Sequence, residues 1–398
     1  MVCVELRMQT VCDVTPPGVK RHYELDWLRA LAVLVVFFYH SARFFNGHYW
    51  DIRNTGRSAL VDLASGFVGL WLIPLFFLVA GASTRFTLEQ HPPRQYVRRR
   101  FKRLMLPFIF GALLLSPLQA FLLSPAARSF QSFLLEYYAE FFSAQLDAAR
   151  WSLAWLFEGL GYHLWFLGFL FVYSVLALPV FATLRNSQAG RGFVDWLAGR
   201  CNSVWGLLLW AAPLVVVQCG LRAAFPEYLG PADFCFWLFF FLYGYLLYAD
   251  PRILHGLVEQ RRRILVVAFA SFLALAIARY AGFVAAWQQH PSYSVGFMLF
   301  QVLWSVDSWA WLLYILILGV RFLSFGNAVI RYATEAVLPF YVFHQPVILA
   351  VGLLVAEWKP NVMAGWLFVC VLSIALTLGI YEVIIRRTHL TRVAFGMG

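Results

Sequence analysis

Residues 25–45 read LDWLRALAVLVVFFYHSARFF, a run that is long and apolar enough to cross a lipid bilayer as one helix. A spanning helix needs about 20 mostly apolar residues. Further runs of this kind follow, and together they predict an all-α integral membrane protein with about ten transmembrane helices. The predicted spans cover residues 25–45, 58–82, 104–125, 160–184, 203–222, 231–250, 262–282, 295–322, 333–356 and 361–385.

The composition of the whole chain agrees with a membrane protein. Of its 398 residues, 62% are hydrophobic and 13% are charged, whereas about a quarter of a soluble domain is charged. Basic residues lie between the apolar runs, so the net charge of +11 indicates membrane topology and not nucleic-acid binding. The six cysteines are scattered, so neither a metal site nor a disulfide framework is predicted.

Lysine and arginine fix the predicted orientation, because cytoplasmic loops carry an excess of them. Most of the 31 basic residues fall on one side of the spans, notably in the runs 94–103 and 252–263. That side is therefore cytoplasmic, and an even number of spans places both termini there. We expect residues 1–20 to be a cytoplasmic tail without a cleaved signal peptide. Residues 21–390 are expected to form one domain of the inner (cytoplasmic) membrane, and residues 391–398 a second cytoplasmic tail.

One stretch that is not assigned to a span is also informative. Residues 128–158 mix acidic with aromatic side chains, which predicts an amphipathic helix at the membrane interface. No internal repeat is apparent, which argues against an inverted-repeat transporter.

Ionisable residues inside a span are costly and are functional candidates. In the first span, Arg29 and His40 lie about three helical turns apart on one face, separated by about 16 Å. Asp26 lies one turn before Arg29 and can pair with it. This stripe suits a ligand with an anionic end and a reactive end, because imidazole transfers protons near neutral pH. The structural alternative is that Arg29 anchors the helix and His40 bonds to a neighbouring helix.

A basic cluster, RRRFKR, occupies residues 98–103 before the third span. Arg100 and Arg103 are one helical turn apart and can grip one phosphate group together. Arg98 and Arg99 are expected to point towards lipid headgroups. The alternative interpretation of the whole cluster is a topology signal that binds headgroups.

Later spans carry further candidates. Asp307 lies near the middle of the eighth span, and Glu335 lies near the inner end of the ninth. The other polar candidates are His163 and Trp165 at the outer start of the fourth span, and Tyr341 and His344 in the ninth. Pro339 and Pro346 free backbone carbonyls, which a neighbouring helix or a cavity must satisfy. No G-x-S-x-G, P-loop or H-E-x-x-H motif occurs, so serine-nucleophile chemistry and metal hydrolysis have no support.

These residues resemble the acyltransferase 3 family of integral membrane acyltransferases. The family signature of arginine, ten residues and histidine matches Arg29 and His40. Its second signature, Arg-x-x-Arg before the third helix, matches Arg100 and Arg103.

The resemblance extends over residues 21–386. Three further runs resemble the family: PLFFLVAG at 74–81, HLWFL at 163–167 and LPFYVFHQPVI at 338–348. The last runs are most similar to the branch that succinylates periplasmic glucans. The chain departs from a Ser-Tyr pair that many members carry, and reads Ala333-Thr334-Glu335 instead.

The resemblance implies transfer of an acyl group, acetyl or succinyl, from cytoplasmic acyl-CoA to a hydroxyl of a carbohydrate or small-molecule acceptor outside the cytoplasm. Acyl-CoA is then a co-substrate, no cofactor is bound, and membrane lipid is the other partner. His40 would act as general base, oriented by Asp307 or Glu335; the alternative is that His40 itself becomes acylated. Arg29, Arg100 and Arg103 would hold the CoA phosphates. The acceptor side would comprise His163, Trp165, Tyr341 and His344.

A secondary transporter or flippase for a polar or lipid-linked sugar is the alternative function. It too would place ionisable groups at mid-membrane, with His40 and Asp307 as a proton relay. The lack of a repeat and the shared stripe of Arg29 and His40 favour the enzyme. Binding of acyl-CoA separates the two, because a transporter should show none.

Overall fold

The computed structural model describes residues 21–45, 58–123, 129, 131, 133–148, 153–289, 291–358 and 361–395. This part of the chain is helical and contains no strand. The expected N-terminal tail, residues 1–20, lies outside the described residues, as do residues 396–398 of the expected C-terminal tail.

Nine of the described helices are long and apolar enough to cross a membrane, and a bent pair of helices adds a tenth candidate. Each coincides with one of the runs predicted from the sequence, so the all-α membrane fold is confirmed. The candidate spans are α1 (Tyr23–Phe45), α2 (Ala59–Gln90), α3 (Pro93–Leu123), α4 (Ala154–Leu176), α5 (Val204–Leu221), α6 (Pro231–Leu247, followed after a bend of 102° by Pro251–Glu259), α7 (Arg261–Tyr280), α8 (Val295–Phe322), α9 (Ala328–Ala356) and α10 (Val362–Ile385).

Shorter helices lie between and after the spans: Tyr138–Ala148, Leu178–Asn186, Gln188–Arg200, Phe283–Gln289 and His389–Ala394. The first falls in the stretch predicted to be amphipathic, whereas the end of that stretch forms the start of α4. Phe395, directly after the last helix, is buried against Phe110 and Phe343. Residues 391–395, expected in a tail, therefore pack against the domain.

Local signals in the sequence set the start of several helices. Pro93, Pro231 and Pro251 each occupy a first helical turn, where the missing N–H of proline would have no helical partner anyway. Asn361 accepts a hydrogen bond from the backbone N–H of Ala364 at 2.9 Å and so caps the start of α10.

Helices α2 and α6 pack backbone against backbone at two glycines. A Cβ atom on Gly81 would lie 1.9 Å from the carbonyl oxygen of Phe241, and one on Gly244 would lie 1.9 Å from that of Leu78. Small residues allow such close approach between membrane helices. Because α1 and α8 also pack against α2, this contact fixes the helix around which the site is built.

A proline inside α2 leaves one backbone carbonyl without a donor, and the neighbouring helix α8 supplies that donor. Pro74 has no N–H, so the carbonyl oxygen of Leu70, four residues earlier, loses its usual helical donor. The hydroxyl of Ser308 donates to that oxygen at 2.6 Å. A buried serine thus holds α8 against the middle of α2.

Candidate active site

A cavity of about 710 Å³ lies among α1, α2, α3, α4 and α9, at the end of the bundle where α1 begins. We call it the arginine cavity. Its cationic lining residues are Arg29, Arg99, Arg100, Lys102 and Arg103, and none of the described residues that line it is acidic. The three predicted arginines are therefore brought together. Arg99, expected to face lipid, also borders the cavity, and such a wall attracts a polyanion.

The side chains of Ser83 and Asp26 hold Arg29 in place. One guanidinium nitrogen donates to the hydroxyl of Ser83 at 2.8 Å, and the other lies 3.4 Å from the Asp26 carboxylate. The expected pairing with Asp26 is present, and Ser83 links α1 to the end of α2. With its position fixed in this way, the guanidinium can meet an anion without reordering a long side chain.

Arg100 and Arg103 belong to the start of α3, where residues Phe101–Met105 form a π-helical turn. Arg100 donates to the hydroxyl of Thr84 at 2.7 Å, and its guanidinium lies 5.3 Å from the centre of the Tyr96 ring. Single π-helical turns inside α-helices occur frequently at functional sites. Here the turn lies where two cations reach the cavity from one helix.

Three histidines from three helices meet next to this cavity. The ring centre of His344 in α9 lies 5.4 Å from that of His40 in α1 and 5.1 Å from that of His163 at the kink of α4. His163 and His344 are buried. We call these residues the histidine cluster. The sequence predicted each of them, and the fold brings all three together.

Tyr341 joins the histidine cluster to the arginine cavity. Its side chain lines the cavity, and its hydroxyl donates to the backbone carbonyl of His163 at 2.5 Å. Its ring centre lies 5.6 Å from the ring centres of both His163 and His344. Tyr341 therefore borders the cationic cavity and also contacts two of the imidazoles.

Pro346 explains how His163 is held against α9. It has no N–H, so the carbonyl oxygen of Val342, four residues earlier, lacks its helical donor. Nε2 of His163 lies 3.2 Å from that oxygen and 3.2 Å from the carbonyl oxygen of Tyr341. The carbonyl freed by this proline thus receives its hydrogen bond from α4.

These backbone contacts also fix which ring nitrogens carry protons. Nδ1 of His344 lies 2.6 Å from the carbonyl oxygen of Tyr341, and a carbonyl only accepts, so Nδ1 is protonated and Nε2 of the neutral ring holds a lone pair. By the same argument, Nε2 of His163 is protonated and its Nδ1 is the acceptor. Neither Nε2 of His344 nor Nδ1 of His163 has a hydrogen-bond partner among the described residues. Both nitrogens are available as proton acceptors.

The two carboxylates proposed to orient His40 differ in their surroundings. Asp307 is fully buried and accepts a hydrogen bond from Ser271 of α7 at 2.6 Å, so it joins α8 to α7. Glu335 is exposed and lies about 13.5 Å before His344 along α9, at 1.5 Å per residue. That either carboxylate orients His40 stays a prediction, and the ring of His344 is the imidazole that neighbours His40.

Trp165 lies beside the histidine cluster and does not belong to it. Its ring stacks on Trp237 of α6 at 5.1 Å between centres. It precedes Phe166, whose ring centre lies 6.1 Å from that of Tyr341. Trp165 thus forms part of an aromatic layer on the side of the cluster that faces α6.

Sequence reasoning missed Ser83, Thr84 and Tyr96, which hold the arginines. Hydroxyl residues near the end of an apolar run carry no motif. One signal could have found them: only His91 and Pro92 separate α2 from α3. So short a connection forces the end of α2 to lie beside the basic start of α3.

The arrangement combines anion binding at one end with proton transfer at the other. A ligand whose charged part is held by the cations can extend along the cavity as far as Tyr341, whose ring contacts His163 and His344. Among the described residues, no group of three His, Cys, Asp or Glu side chains is spaced to hold a metal ion.

Comparisons with known proteins agree with this chemistry. A family model described as "Acyltransferase domain" matches residues 22–382, a range that includes the cavity arginines and the histidine cluster. Two curated relatives are both named Glucans biosynthesis protein C, from Escherichia coli (strain SMS-3-5 / SECEC) and Shigella dysenteriae serotype 1 (strain Sd197). Each is 23% identical to the chain over 384 residues, covering 94% of this chain and 94% of the relative. No solved structure matches the chain.

Proposed function

The chain belongs to the acyltransferase domain family and is a membrane acyltransferase, and we propose that it transfers an acetyl or succinyl group from acyl-CoA to a hydroxyl of a carbohydrate. The name of the two relatives, which refers to glucans biosynthesis, supports a glucan as acceptor. The donor comes from the cytoplasm, the arginine cavity opens to that side, and the protein lies in the inner membrane. The excess of basic residues at the arginine end supports this orientation.

The observation that carries the proposal is the single cavity bordered by both the arginines and Tyr341 of α9. Acyl-CoA has phosphates at one end and a thioester at the other, joined by a long flexible arm. Arg29 and His40 are separated by about 16 Å along α1, and the arm is long enough to cover that distance. Arg29, Arg100 and Arg103 hold the phosphates, and the thioester lies at the histidine cluster.

His40 is the general base in this proposal. It removes the proton of the acceptor hydroxyl as the oxygen attacks the thioester carbonyl carbon. The carbon–sulfur bond then breaks, and the CoA thiolate takes the proton back from the imidazolium, so one ester and one free thiol are formed. His344 is the positioning residue, because its ring borders His40 and its own Nδ1–H is fixed on a backbone carbonyl.

Transfer of a labelled acyl group tests the function. Purified protein in sealed vesicles, with its arginine end facing inwards, is given radiolabelled acetyl-CoA or succinyl-CoA inside and a gluco-oligosaccharide outside. We expect label on the outer oligosaccharide and one free thiol inside for each ester formed. Vesicles with the arginine end facing outwards should transfer the acyl group only when acyl-CoA is outside and the oligosaccharide is inside.

A transporter would give a different result in the same vesicles. Sugar would cross the membrane without loss of the acyl label from CoA, and acyl-CoA would not bind. Either outcome would contradict the proposal.

A further inference from the structure

A second cavity, of about 400 Å³, lies towards the opposite end of the bundle. Both cavities border α2, the second one along residues 69–74 and the arginine cavity along residues 76–87. Residues 69 and 87 are about 27 Å apart along a helix. The two cavities therefore approach the middle of the bundle from its two ends.

The wall of the second cavity mixes aromatic rings with amide groups, and we call it the amide pocket. The lining residues that carry the argument are Gln218, Arg222, Tyr228, Trp237, Gln301 and Trp304. The volume lies within the roughly 300–1,000 Å³ that is usual for small-molecule sites. Flat rings can cover the C–H face of a sugar, while amides both donate to and accept from its hydroxyls.

Gln218 leaves one donor of this pocket unused. The residue is 1% exposed, and its Oε1 accepts a hydrogen bond from Nε of Arg222 at 2.9 Å. Its Nε2 is buried and has no hydrogen-bond partner in the part of the chain that the structure describes. A buried amide without a partner is costly, so a ligand hydroxyl at this position would remove that cost.

The charge in the amide pocket is balanced, unlike that in the arginine cavity. Arg222 forms an ion pair with Asp233, whose second oxygen accepts the backbone N–H of Leu229 at 3.0 Å. Leu229 has a φ of 63°, a left-handed conformation that is strained for a leucine. Strain of this kind collects at binding sites, and the balanced charge favours a neutral ligand.

The amide pocket adjoins the histidine cluster through aromatic rings. Trp237 lines the pocket and stacks on Trp165, and Tyr228 lines it with its ring centre 6.0 Å from that of Trp165. Trp165 leads to Phe166 and Tyr341 on the other side of the layer. A chain of ring contacts through Trp165, Phe166 and Tyr341 therefore joins the pocket to the imidazoles.

We propose that the amide pocket binds a neutral glucose-containing oligosaccharide, the acceptor of the acyl group. That the oligosaccharide is the acceptor rests on the proposed function, whereas its binding to the pocket does not. The sugar packs against Trp237 and Trp304, and its hydroxyls bond to Gln218 and Gln301. A neighbouring sugar unit then extends past the aromatic layer to His40.

The test compares two buried glutamines in nanodiscs. Gln218→Leu removes the unused donor together with the oxygen that accepts from Arg222, while Gln119→Leu makes the same change at a fully buried glutamine of α3 that lies outside the pocket lining. Gln301→Leu is the second pocket variant, in case the first fails to fold. We measure binding of a neutral gluco-oligosaccharide and KM for both substrates.

We expect Gln218→Leu and Gln301→Leu each to weaken oligosaccharide binding and raise the acceptor KM about five- to tenfold, the loss of about one hydrogen bond. The donor KM should stay unchanged, and Gln119→Leu should behave as wild type. Wild-type affinity for the oligosaccharide in both pocket variants would overturn the inference while leaving the function intact. Glutamine-dependent binding without any acyl transfer by wild type would instead overturn the proposed function and keep the pocket.

Discussion

The ring of His344 lies between those of His40 and His163, and backbone atoms of its own helix determine its protonation. Pro346 helps to position His163, because it frees the carbonyl oxygen of Val342 to which His163 donates. Nε2 of His344 and Nδ1 of His163 thus each hold a lone pair, and His344 is the ring that neighbours His40. At the residue scale, backbone carbonyl contacts hold two of the three imidazoles.

Substitution of Asp307 separates this account from one with a carboxylate partner. We expect Asp307→Asn to keep acyl transfer within about threefold of wild type, because an amide oxygen can still accept from Ser271. His344→Gln should lower kcat by at least about a hundredfold, as expected for lost support of a general base. Initial rates of thiol release measure both. A collapse of kcat in Asp307→Asn, with the protein still folded, would return Asp307 to the mechanism.

The arginines can be tested one at a time. Arg29→Ala should weaken acyl-CoA binding about ten- to a hundredfold, because charge-assisted hydrogen bonds contribute roughly 1.5–3 kcal/mol each. Arg98→Ala is the matched control, since this exposed arginine of the same basic cluster is not part of the cavity wall. Titration with a non-hydrolysable acyl-CoA analogue gives both affinities. Equal losses in the two variants would indicate a general surface-charge effect and would contradict a specific phosphate site.

At the scale of elements, α2 is the shared wall of the two cavities, and its contact with α6 sets its position. The glycines Gly81 and Gly244 allow the two backbones to touch. Pro74 of the same helix leaves a carbonyl that Ser308 of α8 satisfies. These contacts place residues 76–87 beside the arginines and residues 69–74 beside the amides.

A pair of alanine substitutions in α2 tests this contact. Gly81→Ala places a Cβ atom 1.9 Å from the Phe241 carbonyl oxygen, so the helices must separate, and we expect a cost of about 1–3 kcal/mol. Gly66→Ala on the same helix meets nothing within 4 Å and should leave the melting temperature unchanged or slightly higher. Thermal unfolding in detergent compares the two. Equal melting temperatures would show that α2 and α6 do not depend on this close approach.

The elements themselves could be predicted because each span is an apolar run bounded by polar or proline residues. The side on which a residue of α1 lies also follows from helical spacing, so the Arg29 and His40 stripe could be predicted. Contacts between helices could not be predicted, because an apolar run does not show how its helix is rotated or shifted against its neighbours. For this reason the sequence predicted His40, His163 and His344 separately, and it paired His40 with Asp307, which the fold places against Ser271.

At the scale of the whole molecule, two cavities of opposite character approach the middle of one helical bundle. The arginine cavity is strongly cationic, while the amide pocket is balanced in charge and rich in aromatic rings. Tyr341 lines the arginine cavity and contacts the histidine cluster, and Phe166 and Trp165 continue from Tyr341 to the amide pocket. This order suits a reaction whose two substrates arrive from opposite sides of a membrane.

The central claim is that one cavity delivers the acyl donor to His40. The most direct measurement is free CoA thiol released by the purified protein in nanodiscs with acyl-CoA and acceptor, for wild type and for His40→Ala, with donor affinity determined on the same samples. We predict turnover in wild type, and in His40→Ala no turnover with donor affinity within about threefold of wild type, since the phosphates are held by arginines about 16 Å away. Normal thiol release by His40→Ala would contradict the account.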